Sequence, residues 1–367
     1  MGTLKVDTVT NVAGSGAPDA AAVTVDNVAI SSLPQMEYVS SSTEPASPSV
    51  GSLWYNASKE EFQTWMGTHW FKLAFTPPPS WFGGRGVFAA GGNFQDRIEY
   101  ITISTPSNST DFGDLIENRS RPNQGLSNRS RGVTGGGVYY SNVIQYVTIA
   151  TPGNAADFGD LTAAKGYCSG IGDGTKGLIG GGSTSSSYIN SIDVITVATT
   201  GNATDFGDLT VARATSNGAV SNGTRGVFGG GYDNGGTSSY TVMDYVTIAT
   251  AGNATDFGDM NNFAGGTGTA SGSRGLFAGG FNGSYSDAIQ YITIDTTSNT
   301  SDFGDLLAYA LEPASCASGT RAVFAGGLSN PSYTNSIQYV TIETTGNGTD
   351  FGDMISTNYK QAGFSGD

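Results

Sequence analysis

The string Asp-Phe-Gly-Asp occurs six times, beginning at Asp111, Asp157, Asp205, Asp256, Asp302 and Asp350, at intervals of 46, 48, 51, 46 and 48 residues. Two other strings keep the same beat. A basic residue opens an apolar run that ends in glycines, at Arg85, Arg131, Lys176, Arg225, Arg274 and Arg321. Between it and the aspartate string lies an alternating, β-branched run, from IEYITIST in the first copy to IQYVTIET in the last. Self-similarity at 20–50 residues marks a repeat architecture, in which one supersecondary unit cannot bury its own faces alone. This removes the phosphotransferase meaning of Asp-Phe-Gly. A kinase needs one such aspartate, a His-Arg-Asp catalytic loop and a β3 lysine. The only histidine, His69, is followed by Trp70.

One copy, Thr215 to Met260, shows the unit. A run of small residues (TSNGAVSN) leads through a turn into RGVFGGG, which puts Val227 and Phe228 on opposite faces. A loop follows, and then VMDYVTIAT, whose period-2 alternation predicts a strand. The turn AGNAT has a Gly-Asn pair suited to positive φ, and DFGDM is a short last strand. Each repeat therefore predicts four antiparallel strands, a to d. Six such sheets arranged radially bury one another's faces, so the fold class is all-β, a six-bladed β-propeller.

The pattern resembles the kelch repeat across residues 85–367. Strand b ends in a glycine pair, strand c carries aromatic and β-branched residues, and strand d carries a bulky anchor. Kelch blades usually have tryptophan there; here the anchors are Phe112, Phe158, Phe206, Phe257, Phe303 and Phe351. The first copy begins at strand b, and the tail YKQAGFSGD reads as a strand a with no blade after it. The tail is therefore expected to complete blade 1. Cys168 and Cys316 fall on strand a of blades 3 and 6, too far apart for a disulfide, and are expected to be free thiols.

The net charge of −15 gives no positive footprint for nucleic acid and disfavours anionic lipid. No apolar h-region predicts a signal peptide, and no window is long and apolar enough for a membrane span. With Val6 where Ser or Thr is needed, MGTLKV is no myristoylation signal.

Residues 36–75 form a separate reading. GSLWYN followed by FQTWMGTHWFKLA resembles a small β motif of bacteriophage tail and fibre proteins. Physically it predicts a three-strand meander stapled by Trp54, Trp65 and Trp70; a sugar-stacking surface is the alternative for the three rings. Residues 1–35 alternate (TLKVDTV, AVTVDNVAI) and resemble the virion-attachment segments of phage tail fibres, notably those of marine and cyanobacterial phages. So short a stretch is expected to order against itself in an oligomer or against a tail protein. Residues 76–84 are a Pro/Gly linker, semi-rigid because of its prolines.

Comparing the repeats with one another separates two faces. The c–d turns are nearly uniform (TPGNAA, TTGNAT, TAGNAT), whereas the b–c loops and d–a segments differ in every blade. In an up-and-down blade these variable segments share one face, and recognition is expected there. The variable loops are rich in Tyr, Ser, Asn and Gly, which suits adaptable polar contact plus flat apolar area. The candidate ligand-binding residues are Tyr139, Tyr140, Tyr188, Tyr232, Tyr240, Tyr285 and Tyr333, with Arg119 and Arg121; the alternative is that the tyrosines pack on neighbouring blades.

No unique carboxylate pair, no Ser/His/Asp set and no phosphate loop is visible, so no enzyme, catalytic residue or cofactor is expected. Twelve of the thirty-one acidic residues belong to the repeated string. These are expected to cap turns and to pair with Arg85, Arg131, Lys176, Arg225, Arg274 and Arg321, with calcium as the alternative and no metal site assigned. The resemblances imply a virion structural protein: a tail fibre or spike, docked to other tail proteins through residues 1–35, presenting the propeller to a host-surface glycan or protein. They also imply a homo-oligomer, with a trimer the usual fibre arrangement. Two other roles stay open: an architectural tail-tip, nozzle or decoration protein, and a polysaccharide depolymerase.

Overall fold

The computed structural model describes residues 5–10, 19–25, 28–29, 38–41, 43–50, 52–56, 61–65, 67–68, 70–72, 83–92, 95–119, 125–137, 140–215, 218–232, 240–261, 266–281, 283–329 and 331–366. The chain divides into two compact units, Met1–Pro78 and Pro79–Asp367.

In the second unit six four-stranded antiparallel sheets stand in a ring as a β-propeller. Blade 1 takes strand b from Arg85–Ala89, c from Gln95–Thr102 and d from Thr110–Arg119. Its strand a is Ala362–Gly366, at the C-terminal end. Each of blades 2 to 6 runs a to d in chain order, with strand b at Arg131–Gly135, Lys176–Gly180, Arg225–Gly229, Arg274–Ala278 and Arg321–Ala325.

Burial explains the composition of each strand. Every strand b is buried from its second residue onward, since it is covered by a blade on each side. Its residues accordingly read as an apolar run, broken only by the buried Thr134 of blade 2. The core is divided into layers between blades. One joins Leu276, Ile289 and Phe303 of blade 5 to Phe324, Val340 and Ile342 of blade 6. The closing layer joins Val323, Ile337 and Phe351 of blade 6 to Phe88, Ile101 and Ile103 of blade 1. It is built like the others, so the ring closes without a weak seam. All six anchor phenylalanines are buried, 2–3% exposed, and each contributes about 1.5–3 kcal/mol by burial.

The repeated string has a backbone explanation. In the c–d pairing, Ile144 faces Gly159 and Gln145 faces Asp157, which leaves Phe158 as the extra residue of a β-bulge; the same shift recurs in the other blades. A bulge re-aims a side chain, here the phenylalanine into the interblade layer. The following glycine has φ from +138° to +150° in all six copies. A Cβ on Gly207 would lie 2.3 Å from the Gly252 carbonyl oxygen of the next blade, so no larger residue fits.

The basic residue of strand b corrects an expectation. These six side chains donate to backbone carbonyls of the following blade rather than pairing with the repeated aspartates. Arg85 reaches Ile149 O (2.7 Å), Arg131 Val197 O (3.2 Å), Arg225 Ile294 O (3.1 Å) and Arg274 Ile342 O (3.1 Å). Lys176 reaches Ala249 O (2.6 Å), and Arg321 closes the ring on Ile103 O (2.8 Å). Each arginine also lies over a strand-c tyrosine, with Arg131 4.1 Å from the Tyr146 ring centre. Blade 3 has Val194 where the other blades have tyrosine, and there the base is Lys176, which lacks the planar group that stacks on a ring. The first aspartate of every string is exposed. Burying it against a base would cost desolvation that a carbonyl acceptor avoids.

In the first unit, Leu53–Asn56, Glu61–Trp65 and Trp70–Lys72 make the expected meander, and Tyr38–Ser41 adds a fourth strand parallel to the first of these. Trp70 meets Trp54 at 5.3 Å and Trp65 at 5.5 Å between ring centres, both edge-on. Lys5–Thr10 pairs antiparallel with Asp19–Val25, which pairs in turn with Val28–Ala29. The alternating runs therefore pair with each other within one chain.

Candidate functional site

The two propeller faces differ in what their backbone groups do. On the face of the c–d turns, the asparagine that recurs in each turn accepts from the preceding blade. Asn154 Oδ1 takes the Asp114 N–H at 3.1 Å, and the bond repeats at Asn202, Asn253, Asn299, Asn347 and Asn108. This face is committed to joining blades.

On the opposite face the b–c loops and d–a segments bond to each other. Gly166 bridges Ser183, Ala214 bridges Tyr232 and Leu311 bridges Leu328, each by reciprocal backbone hydrogen bonds. A buried polar residue of strand c holds the start of each d–a segment from the next blade. Gln145 Oε1 accepts from the Ile116 N–H (2.7 Å), Gln338 Oε1 from Leu307 (2.7 Å) and Glu99 Oε2 from Ile355 (3.0 Å). Blades 3 and 4 use a shorter carboxylate there, and a buried base from the d–a segment neutralises it. Lys165 Nζ lies 3.2 Å from Asp193 Oδ1, and Arg213 Nη1 2.6 Å from Asp244 Oδ2.

The residue held at the start of the d–a segment divides the ring. It is Thr162, Thr210 and Asn261 in blades 2, 3 and 4, but Ile116, Leu307 and Ile355 in blades 1, 5 and 6. These three apolar side chains are exposed, and so is Tyr309. One sector of the individual face is therefore apolar.

The candidate tyrosines fall unequally on this face. Tyr139 and Arg121 lie outside the described residues, as does the side chain of Arg119, whose backbone pairs with Gln95 at the end of strand d. Tyr140 sits at φ +55° with its N–H on Gly137 O at 3.0 Å. Tyr188 bridges Ser183, and Tyr285 bridges Phe281 with their rings edge-on at 5.6 Å. Tyr140, Tyr188, Tyr232, Tyr240 and Tyr285 are all half-buried. Tyr333 is exposed, at 37%, and stacks on Tyr359 with ring centres 4.2 Å apart and planes 10° apart. The candidates are thus spread around the ring, one loop each, and are not brought to one point.

Tyr359 and Tyr309 were missed by sequence reasoning. The variability of the d–a segments pointed to the stretches that hold them, but a partner on another loop leaves no local signal.

The channel on the propeller axis has a cavity of ≈ 90 Å³ lined by Leu126, Ile171, Val220, Cys316 and Phe364. Small-molecule sites usually take roughly 300–1,000 Å³, so the axis is packing. Cys168 and Cys316 are buried and free. Burial pushes the Cys168 thiol up to about 11 and raises Cys316 as well, which keeps both protonated and unreactive. Among the described residues no three His, Cys, Asp or Glu side chains converge as a metal ion requires. The arrangement suits surface recognition by rings and loop polar groups. No family model and no curated protein matches this chain.

Proposed function

We propose that this chain is a bacteriophage virion structural protein, a tail fibre or spike that docks to the tail through residues 1–35 and presents the propeller to the host surface. The observation that carries the reading is the division of labour between the faces. One repeats the same interblade bond in every copy, whereas the other bears loops that differ in every blade and an exposed apolar sector. Scaffold duty accounts for the first face and gives no reason for the second. The fibre-like Gly-Ser-Leu-Trp-Tyr-Asn motif and alternating leader support a place in the virion. A glycan or protein of the cell envelope fits the Tyr/Ser/Asn-rich loops, which bind by flat area and adaptable hydrogen bonds.

The test uses the full chain, fluorescently labelled, with host bacteria and with particles that carry the protein. Saturable adsorption to cells and competition with infection are expected. Incorporation into particles without any adsorption would overturn the receptor role and leave an architectural one. Particles lacking residues 1–35 of this chain should omit it; normal incorporation would overturn the docking role.

A further inference from the structure

We infer that the contact platform of the individual face is the outer ring face of Tyr333, at the seam of blades 6 and 1, and that it takes a neutral pyranose. This rests on the host-binding reading above and specifies its ligand.

The ring is held before any ligand arrives. Tyr333 ends a hairpin in which it pairs with Leu328, and Leu328 is bonded in turn to Leu311. One face of its ring is stacked on Tyr359. Tyr359 is itself fixed: its ring lies so close to Gly92 of blade 1 that a Cβ there would come within 1.7 Å, and Lys360 Nζ sits 4.2 Å from its ring centre. Asn358 clamps the seam, donating to Ala90 O at 3.1 Å and accepting from Gly92 N at 3.2 Å. Ordering a side chain on binding costs free energy; here the stack on Tyr359 has already ordered it. With Tyr359 on one face of its ring, Tyr333 is still 37% exposed, and its hydroxyl has no hydrogen-bond partner among the described residues.

A flat apolar surface with one polar atom at its edge matches the C–H face of a pyranose ringed by hydroxyls. The charge argues for a neutral sugar. Lys360 is paired with Glu312 at 3.3 Å, both nearly buried. Arg97 lies between Ser356 (3.3 Å) and Glu99 (3.9 Å). Lys360 is therefore not offered to a uronate or a phosphate, Arg97 keeps a 39% exposed side chain beside the buried Glu99 carboxylate, and the net charge of −15 repels both anions. Tyr309 on the same face is more exposed, at 54%, but among the described residues only Tyr333 of this face is held by a stacked ring.

The experiment is saturation-transfer NMR on the full chain with methyl β-D-glucopyranoside and methyl β-D-galactopyranoside, against their uronate counterparts, alongside the adsorption assay. Transfer to ring C–H protons of at least one neutral glycoside, and none to the uronates, is expected. Y333A should lose it at least tenfold and Y333W should keep it, with both variants melting like the parent. No transfer from either neutral glycoside, equal or stronger transfer to the uronates, or undiminished transfer in Y333A would each overturn the inference. Y333A that adsorbs to host cells as well as the parent sinks this site alone. Failure of the parent chain to adsorb sinks the host-binding reading.

Discussion

The backbone N–H of Asp114 in blade 1 donates to the side-chain oxygen of Asn154 in blade 2. The same bond, at 2.9–3.1 Å, joins every blade to the next, including Asp353 to Asn108 across the closure. An exposed hydrogen bond of this kind is worth about 0.5–1.5 kcal/mol. Asn202→Ala and Asn347→Ala should each lower stability by about 1 kcal/mol in urea unfolding. The two junctions are separate, so the double variant should add to within about 0.5 kcal/mol. A double variant much worse than the sum would show that the junctions fail together.

Much of this fold was legible because its signals are local. Alternation in strand c, glycine punctuation after strand b and the bulky strand-d anchor repeat on a fixed beat, and the unpaired YKQAGFSGD tail implied its partner in blade 1. The aspartates were harder. Asp114 acts through its N–H, which every non-proline residue possesses, so its side chain suggested an ion pair that strand-b arginines do not make. Those arginines bond carbonyls such as Ile149 O, 64 positions away. The parallel strand Tyr38–Ser41 was hidden because a parallel neighbour arrives by a crossover rather than a hairpin turn. On the candidate face, variability located the loops, but the Tyr333–Tyr359 stack joins two segments whose sequences do not recur from blade to blade.

Gly207 should tolerate no side chain. Its φ of +150° and the 2.3 Å approach of the Gly252 carbonyl oxygen act together. Gly207→Ala is expected to cost more than the loss of the neighbouring Asn253 cap, on the order of 2–3 kcal/mol, as strained backbone positions do. Urea midpoints for Gly207→Ala and Asn253→Ala give the comparison. A milder effect for the alanine at 207 would show that the bulge can relax away from the next blade.

The buried pair Arg213–Asp244 should behave asymmetrically. Arg213 also donates to Gly230 O at 2.8 Å and Phe228 O at 3.1 Å, so it stays in place when its carboxylate is removed. Asp244→Ala leaves that charge uncompensated and should cost about 3–5 kcal/mol, whereas the double variant Arg213→Met/Asp244→Leu should cost far less. A double-mutant cycle by urea unfolding checks this, and near-additive losses would sink it.

Cys168 reports on whether the ring opens. Its thiol is raised from 9.0 to about 11 by burial, so the folded state holds the proton more tightly than the unfolded chain. The stability this contributes is present below about pH 9 and is lost as pH climbs toward 11. Urea midpoints of the parent should fall across that window, and the fall should shrink in Cys168→Ala, because the site then has nothing to titrate. At pH 8 a maleimide should not label Cys168 in the folded protein and should label it fully in urea. Rapid native labelling at pH 8 would mean that the inner strand of blade 3 opens to solvent, which the buried setting of Cys168 against Ile179 and Ile195 argues against.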